Sequence, residues 1–175
     1  MNYFQSSAIN RACIGCRRQR GFTMIELLVT ISIAAIMLTI AIPSFQSFLL
    51  NSRLTGHTND LVLGMAYAKS EAVKRGGNVE VCASDDEATC SGDWDEGWIV
   101  RSNDGQVLQV HDGFSGTICA NASSIVFRNS GFPTAGIIFR LYDSRGFGVG
   151  VDSARTITVS AQGWATTTRG ATVCS

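Results

Sequence analysis

Charge is scarce in this 175-residue chain. Only 16% of its residues are Asp, Glu, Lys or Arg, and the 14 of each sign cancel to a formal net of +0. That balance removes the electrostatic excess on which generic nucleic-acid binding rests. Histidine is scarcer still. His57 and His111 stand apart from any motif cysteine or serine, and there is no Gly-x-Ser-x-Gly elbow, zinc-ligand spacing or phosphate loop. Neither an enzyme nor a bound metal or cofactor is expected. Internal repeats and low-complexity tracts are also lacking, so the length fits one domain with an appendage.

The neutral total hides two different segments. Residues 1–20 hold Arg11, Arg17, Arg18 and Arg20 and no acid, which leaves the rest of the chain with ten basic residues against fourteen acidic ones. Cys13 and Cys16 share that basic leader. They have the spacing of a redox or metal half-site but no second pair or histidine near them. Cys82, Cys90, Cys119 and Cys174 lie in the second half. An even set in a domain of about 100 residues behind a membrane segment reads as two disulfides formed in an oxidising compartment. Four cysteines allow about three pairings. Short loop closure favours Cys82–Cys90, which leaves Cys119–Cys174.

Between these segments, residues 22–42 are apolar apart from Thr23, Glu26, Thr30, Ser32 and Thr39. As a helix they span about 31 Å, the thickness of a bilayer's hydrocarbon layer. The small hydroxyls can bond back to helix carbonyls and so do not bar a membrane span. A cleaved secretory signal has a shorter core followed by a small-x-small site; here Pro43-Ser44-Phe45-Gln46 follows, which suits a retained helix that bends and continues. From residue 43 to 76 the pattern is amphipathic. Phe45, Phe48, Leu49, Leu61, Met65, Ala68 and Ala72 form a stripe that leaves Arg53, Asp60, Lys69 and Glu71 outside it. Gly56 and Gly64 weaken this helix by up to about 1 kcal/mol each, and Gly76-Gly77 ends it. A continuous helix to Arg75 is about 80 Å long, too long for the domain to bury, so its apolar half must leave the domain.

Residues 77–175 alternate instead. Strands are expected at 78–83, 98–102, 106–111, 124–128, 137–142, 155–160 and 171–174, with Asn103-Asp104-Gly105 as a hairpin turn. The fold class is therefore α+β: a long N-terminal helix, membrane-spanning in its first half, packed on an antiparallel sheet whose one face is covered by residues 61–73. Arginines before the span hold the N-terminus in the cytoplasm and place the domain outside the inner membrane. Glu26 is the anomaly, since an ionisable group within a span costs a few kcal/mol unless it has a partner or reaches the interface. Cutting after Gly21 creates an α-amino group on Phe22, one helical turn from that carboxylate, which a neighbouring chain's acid can neutralise in low dielectric.

The stretch Arg20-Gly21-Phe22-Thr23-Met24-Ile25-Glu26-Leu27-Leu28-Val29 resembles the class III signal of type IV pilins and type II secretion pseudopilins. The resemblance implies a leader over 1–21, removed by a prepilin peptidase that cuts between Gly21 and Phe22 and methylates Phe22. It also implies an assembly role for Glu26, a helix-bending Pro43, and other minor and major pilins or pseudopilins as partners. Ala68 to Val79, Cys82, Gly97-Trp98-Ile99-Val100, Phe127-Arg128, Gly131 and Val173-Cys174 are similar to the FimT/FimU and GspH group of minor pilins and pseudopilins. That group implies a subunit at or near a filament tip which primes or caps assembly. Some members bind DNA through a C-terminal Gly-Arg-x-Arg, where this chain has Gly163-Trp164-Ala165-Thr166-Thr167-Thr168-Arg169-Gly170 with a single arginine.

Charge is uneven within the outer domain, with a net of −8 over residues 76–120 and +3 over 121–175. The basic part, with Arg145, Arg155, Arg169 and Trp164, is a candidate contact for DNA or a partner subunit, and partner docking is favoured. The acidic run Asp85-Asp86-Glu87 and Asp93-Trp94-Asp95-Glu96 lacks EF-hand spacing and reads as a solvated loop. Trp94, Trp98 and Trp164 read as core or rim aromatics.

Overall fold

The structure, a computed structural model, describes residues 21–145 and 153–170. Among the described residues one helix, α1 (Met24–Arg75), precedes eight strands, and the chain divides into two compact units, Met1–Ile42 and Pro43–Ser175. In the first unit the described part of α1 is exposed on every side. Its hydroxyls bond back as their positions suggest: Thr30 Oγ1 donates to the Leu27 carbonyl at 2.8 Å, Ser32 Oγ to Leu28 at 2.8 Å and Thr39 Oγ1 to Ile36 at 2.7 Å. No hydroxyl there needs water, so this stretch is long and apolar enough to cross a membrane.

In the second unit α1 runs on from Pro43 to Arg75, and Gly76 ends it with φ 65° and an N–H bond to the Val73 carbonyl at 3.3 Å. The strands β1 (Val79–Ala83), β2 (Gly97–Ser102), β3 (Val107–Asp112), β4 (Thr117–Ala120), β5 (Ser124–Phe127), β6 (Ile137–Tyr142), β7 (Ala154–Val159) and β8 (Ala165–Arg169) form two four-stranded sheets. The orders are β3-β2-β1-β5 and β4-β6-β7-β8, and every pair is antiparallel. Both sheets and α1 share one core, in which Leu54, Leu61, Met65, Ala68 and Ala72 meet Val79, Val81, Trp98, Phe127, Phe139 and Ile157. The Asn103–Gly105 turn closes the β2–β3 hairpin, with Gly105 at φ 84° and its N–H on the Ser102 carbonyl at 2.9 Å.

Several expectations need correction. The sheet is not single: β4 and β8, which are not among the expected strands, join β6 and β7 in a second sheet. β4 has only four residues, and β8, Ala-Thr-Thr-Thr-Arg, is an almost wholly exposed edge that shows no hydrophobic alternation. The buried stripe of α1 begins at Leu54; Phe45, Phe48 and Leu49 are not covered in the isolated chain. Glu71, expected outside the stripe, is buried, its charge met by Arg75 Nε at 2.7 Å and Lys74 Nζ at 3.1 Å. Gly64 is a packing requirement as much as a weak point, because a Cβ there would lie 2.2 Å from Trp98 Cη2. The strand expected at 171–174 lies outside the described residues.

Candidate functional site

The N-terminal segment is built from its cap outward. Gly21, Phe22 and Thr23 precede α1, and Thr23 Oγ1 accepts the Glu26 N–H at 3.3 Å while its carbonyl accepts the Leu27 N–H at 3.1 Å. Thr23-x-x-Glu26 is the spacing of a capping box, and an acid in the first turn also suits the helix dipole. The observed cap is the Thr23 hydroxyl on the residue-26 N–H; the Glu26 carboxylate contributes its charge to the first turn. Phe22 is fully presented, and the apolar side chains from Met24 to Phe48 stand exposed in a continuous sheath. Such a surface needs lipid or the helices of other subunits to cover it. Pro43 lies inside α1, at the boundary between the two compact units.

In the second unit, Cys82 and Cys90 are joined by a disulfide with Cα atoms 5.5 Å apart. Cys119 is disulfide-bonded as well, while Cys174 lies outside the described residues. The loop closed by Cys82–Cys90 carries the acids. Asp86 accepts the Thr89 N–H at 2.7 Å, the Thr89 hydroxyl at 2.7 Å and the Ala88 N–H at 2.9 Å, and these bonds hold its carboxyl far below the usual carboxylate range. Glu96 Oε2 accepts the Asp93 N–H at 2.9 Å. The acids therefore order the turn around themselves.

Three of the four residues proposed as a contact face come together: Arg155 pairs with Arg169 across β7 and β8, and both line a groove with Asn51, which Arg145 reaches, whereas Trp164 lies apart. Arg145 Nε bonds both oxygens of Asp143, at 3.0 and 2.9 Å, and an Nη reaches Asn51 Oδ1 on α1 at 2.6 Å. Arg155 is only 7% exposed, and its Nη1 donates to the Ala154 carbonyl at 2.8 Å. Both arginines are engaged in holding the domain together. Arg169 and Trp164 stay at the surface, Arg169 on β8 and Trp164 in the β7–β8 turn with Lys69 Nζ 5.3 Å from its ring centroid. Trp94 and Trp98 are core residues: Trp94 packs edge-on to Phe139 and donates to the Ala122 carbonyl at 3.1 Å. The sequence reading missed His111. It lies flat on Trp98 at 3.7 Å, and its Nε2 is buried with no hydrogen-bond partner among the described residues. Burial lowers its pKa, while the charges of Asp60 and Asp112 oppose that shift.

An exposed apolar helix whose later turns cover two antiparallel sheets defines a pilin-like protein. Family comparison agrees: residues 57–163 match the model of type II transport protein GspH, and residues 16–42 match the prokaryotic N-terminal methylation motif. The chain belongs to the GspH family. Its fold is that of the type IV minor pilin FimU of Pseudomonas aeruginosa, with a TM-score of 0.52 at 21% identity over 66% of this chain and 87% of that one. A fimbrial protein of Pseudomonas aeruginosa is 26% identical over 102 residues, which cover 58% of this chain and 66% of the relative. Prepilin peptidase-dependent protein D of Escherichia coli (strain K12) is 40% identical over 60 residues, 34% of this chain and 41% of that protein. This chain thus spans just under two thirds of the fimbrial relative's length.

Proposed function

We propose that this chain is a minor pilin or pseudopilin, a structural and non-enzymatic subunit that primes or caps assembly of a type IV pilus or a type II secretion pseudopilus. The carrying observation is the exposed apolar part of α1, continuous with a disulfide-bonded domain and bearing one acid in its first turn. In this reading the chain crosses the inner membrane once, with its N-terminus cytoplasmic and its outer domain periplasmic, before it joins the filament. A prepilin peptidase cuts between Gly21 and Phe22 and methylates the new Phe22 amine. Glu26 then pairs with that amine on a neighbouring subunit, and Pro43 bends the helix where the membrane part gives way to the domain.

DNA capture at a filament tip is the weaker reading. Arg155 is buried, the half-buried Arg145 is tied to Asp143 and Asn51, and Trp164 lies apart from both. The test is incorporation. Glu26→Ala should insert and be cleaved normally yet be missing from sheared filaments or from the complex of co-purified subunits. Normal incorporation would remove the basis for an assembly role. Deletion of the chain should abolish either piliation with twitching or exoprotein secretion, and loss of neither counts against both machines.

A further inference from the structure

The ends of β1 carry opposite chemistry. Beyond its N-terminal end, three segments converge: the last turns of α1, the loop after β5, and the β7–β8 turn. Their meeting is recorded by Gly131, where a Cβ would sit 3.0 Å from Val73 Cγ2 and 3.6 Å from Lys69 Cε. Gly163 records it too, with a Cβ position 3.3 Å from the Gly131 carbonyl and 3.4 Å from Lys69 Nζ. The surface made there is aromatic and cationic. Trp164 is 71% exposed, Val73 56% and Phe132 51%. Lys69 stands over the Trp164 ring, and Arg128 opens the turn that Phe132 closes, its N–H on the Phe132 carbonyl at 3.0 Å. Neither Lys69 nor Arg128 has an ion-pair partner among the described residues.

The acidic loop leaves the other end of the same strand. Phe127 pairs with Val79 at the first end, whereas Ala83 pairs with Trp98 at the second, where the Ser91 N–H bonds the Ala83 carbonyl. Residues 85–96 contain six acids and no Lys or Arg. The disulfide and the turn bonds of Asp86 and Glu96 fix the loop, so little order has to be gained on binding. Exposed Trp with flanking cations is the composition of an interface centre, and a rigid anionic loop is its electrostatic complement. Because patch and loop lie at opposite ends of one strand, no twofold pairing is needed to satisfy both. A head-to-tail contact between two copies does so.

We infer that the patch of Lys69, Val73, Arg128, Phe132 and Trp164 docks the acidic 85–96 loop of a second copy of this chain. The inference rests on the structural-subunit reading and adds a defined contact to it. The test uses the full chain in membranes with p-benzoylphenylalanine in place of Phe132, and separately in place of Val73. Illumination should give an adduct of two chains whose cross-linked peptide maps to residues 85–96. Lys69→Glu with Arg128→Glu should cut its yield about tenfold, since like charges then face each other. Asp93→Lys with Asp95→Lys in the same chain should restore it. An adduct to nucleic acid, to a different protein or to another segment overturns the inference, as does a yield that ignores charge reversal or the absence of an adduct at both positions. Incorporation is read on the same samples. Incorporation without the adduct removes this contact and leaves the subunit reading standing, whereas the adduct without incorporation supports the contact and removes that reading.

Discussion

Gly64→Ala tests how the helix is seated on its sheet. A Cβ built at Gly64 lies 2.2 Å from Trp98 Cη2 and 2.5 Å from Cζ3, against a comfortable carbon separation of about 3.5–4.0 Å. The ring must therefore retreat by more than about 1 Å to reach that separation. It has nowhere to go, because Trp98 is 4% exposed and its other face lies on His111 at 3.7 Å with the planes 7° apart. Overpacking of this kind costs about 1–3 kcal/mol, and a clash against a pinned ring belongs at the upper end. Replacing a helical glycine by alanine returns about 1 kcal/mol, so the net loss is roughly 2 kcal/mol. For a domain of this size that lowers Tm by about 6–10 °C. Gly56 supplies the control. It is exposed on the same helix with nothing within 4 Å of its Cβ position, so Gly56→Ala should gain about 1 kcal/mol. Thermal and urea unfolding of the full chain in one detergent, followed by tryptophan fluorescence, measures both. Trp98→Leu should rescue Gly64→Ala by opening the space. Shifts of the same sign for the two glycine variants would refute the packing argument.

Other perturbations follow from the same contacts. Cys82→Ser with Cys90→Ser opens a loop of sequence separation 8; loop entropy predicts a loss of about 2.5 kcal/mol, read as a lower urea midpoint that reduction of the parent protein reproduces in part. His111 is held below its ordinary pKa by burial. The unfolded chain therefore takes up that proton first, and stability should fall as pH drops from about 6.5 toward the folded value. His111→Phe keeps a ring against Trp98 and should flatten the profile in that window. Glu71 is held low by Arg75 first and Lys74 second. Its contribution is complete above the ordinary carboxylate range and lost as pH falls through the lowered value, so Glu71→Gln should give a shallower acid limb. Some slope should remain, because Asp86 and Asp104 are also held low by their turn bonds.

Much of this was legible where one periodicity ruled a segment. The long helix, its glycine stop, six of the strands and the 103–105 turn follow from spacing and glycine placement alone. β4 and β8 were not legible, since a strand of four residues and a threonine-rich edge owe their state to pairing with β6 and β7. The charged residues misled in a consistent way. Arg145, Arg155 and Glu71 look like surface in a one-dimensional reading, but each is folded against a partner supplied by its own turn or neighbour. Net charge over 121–175 therefore overstated the exposed basic surface. Gly64 looked like a weakness because its reason, Trp98, lies on another element.

Glu26 remains the residue for which two physical accounts compete, and their magnitudes separate them. As an acid in the first turn it stabilises α1 by about 0.3–1 kcal/mol through the helix dipole. That explains the carboxylate in a lone chain whose first turn lies near the membrane surface. Once subunits pack and the first turn is enclosed by apolar helices, the cost of an unpaired charge rises to about 2.5–3.5 kcal/mol or more. A dipole contribution of that size cannot offset it, whereas a cationic amine supplied by a neighbouring subunit, as proposed above, would. Glu26→Gln separates the accounts by magnitude, because it keeps the shape and the Thr23 cap on the residue-26 N–H while losing the charge. If the small dipole contribution is the whole role, the variant should incorporate almost as well as the parent. If the charge registers one subunit on the next, it should be as defective as Glu26→Ala while its helix content, measured by circular dichroism in detergent, stays at the parent level.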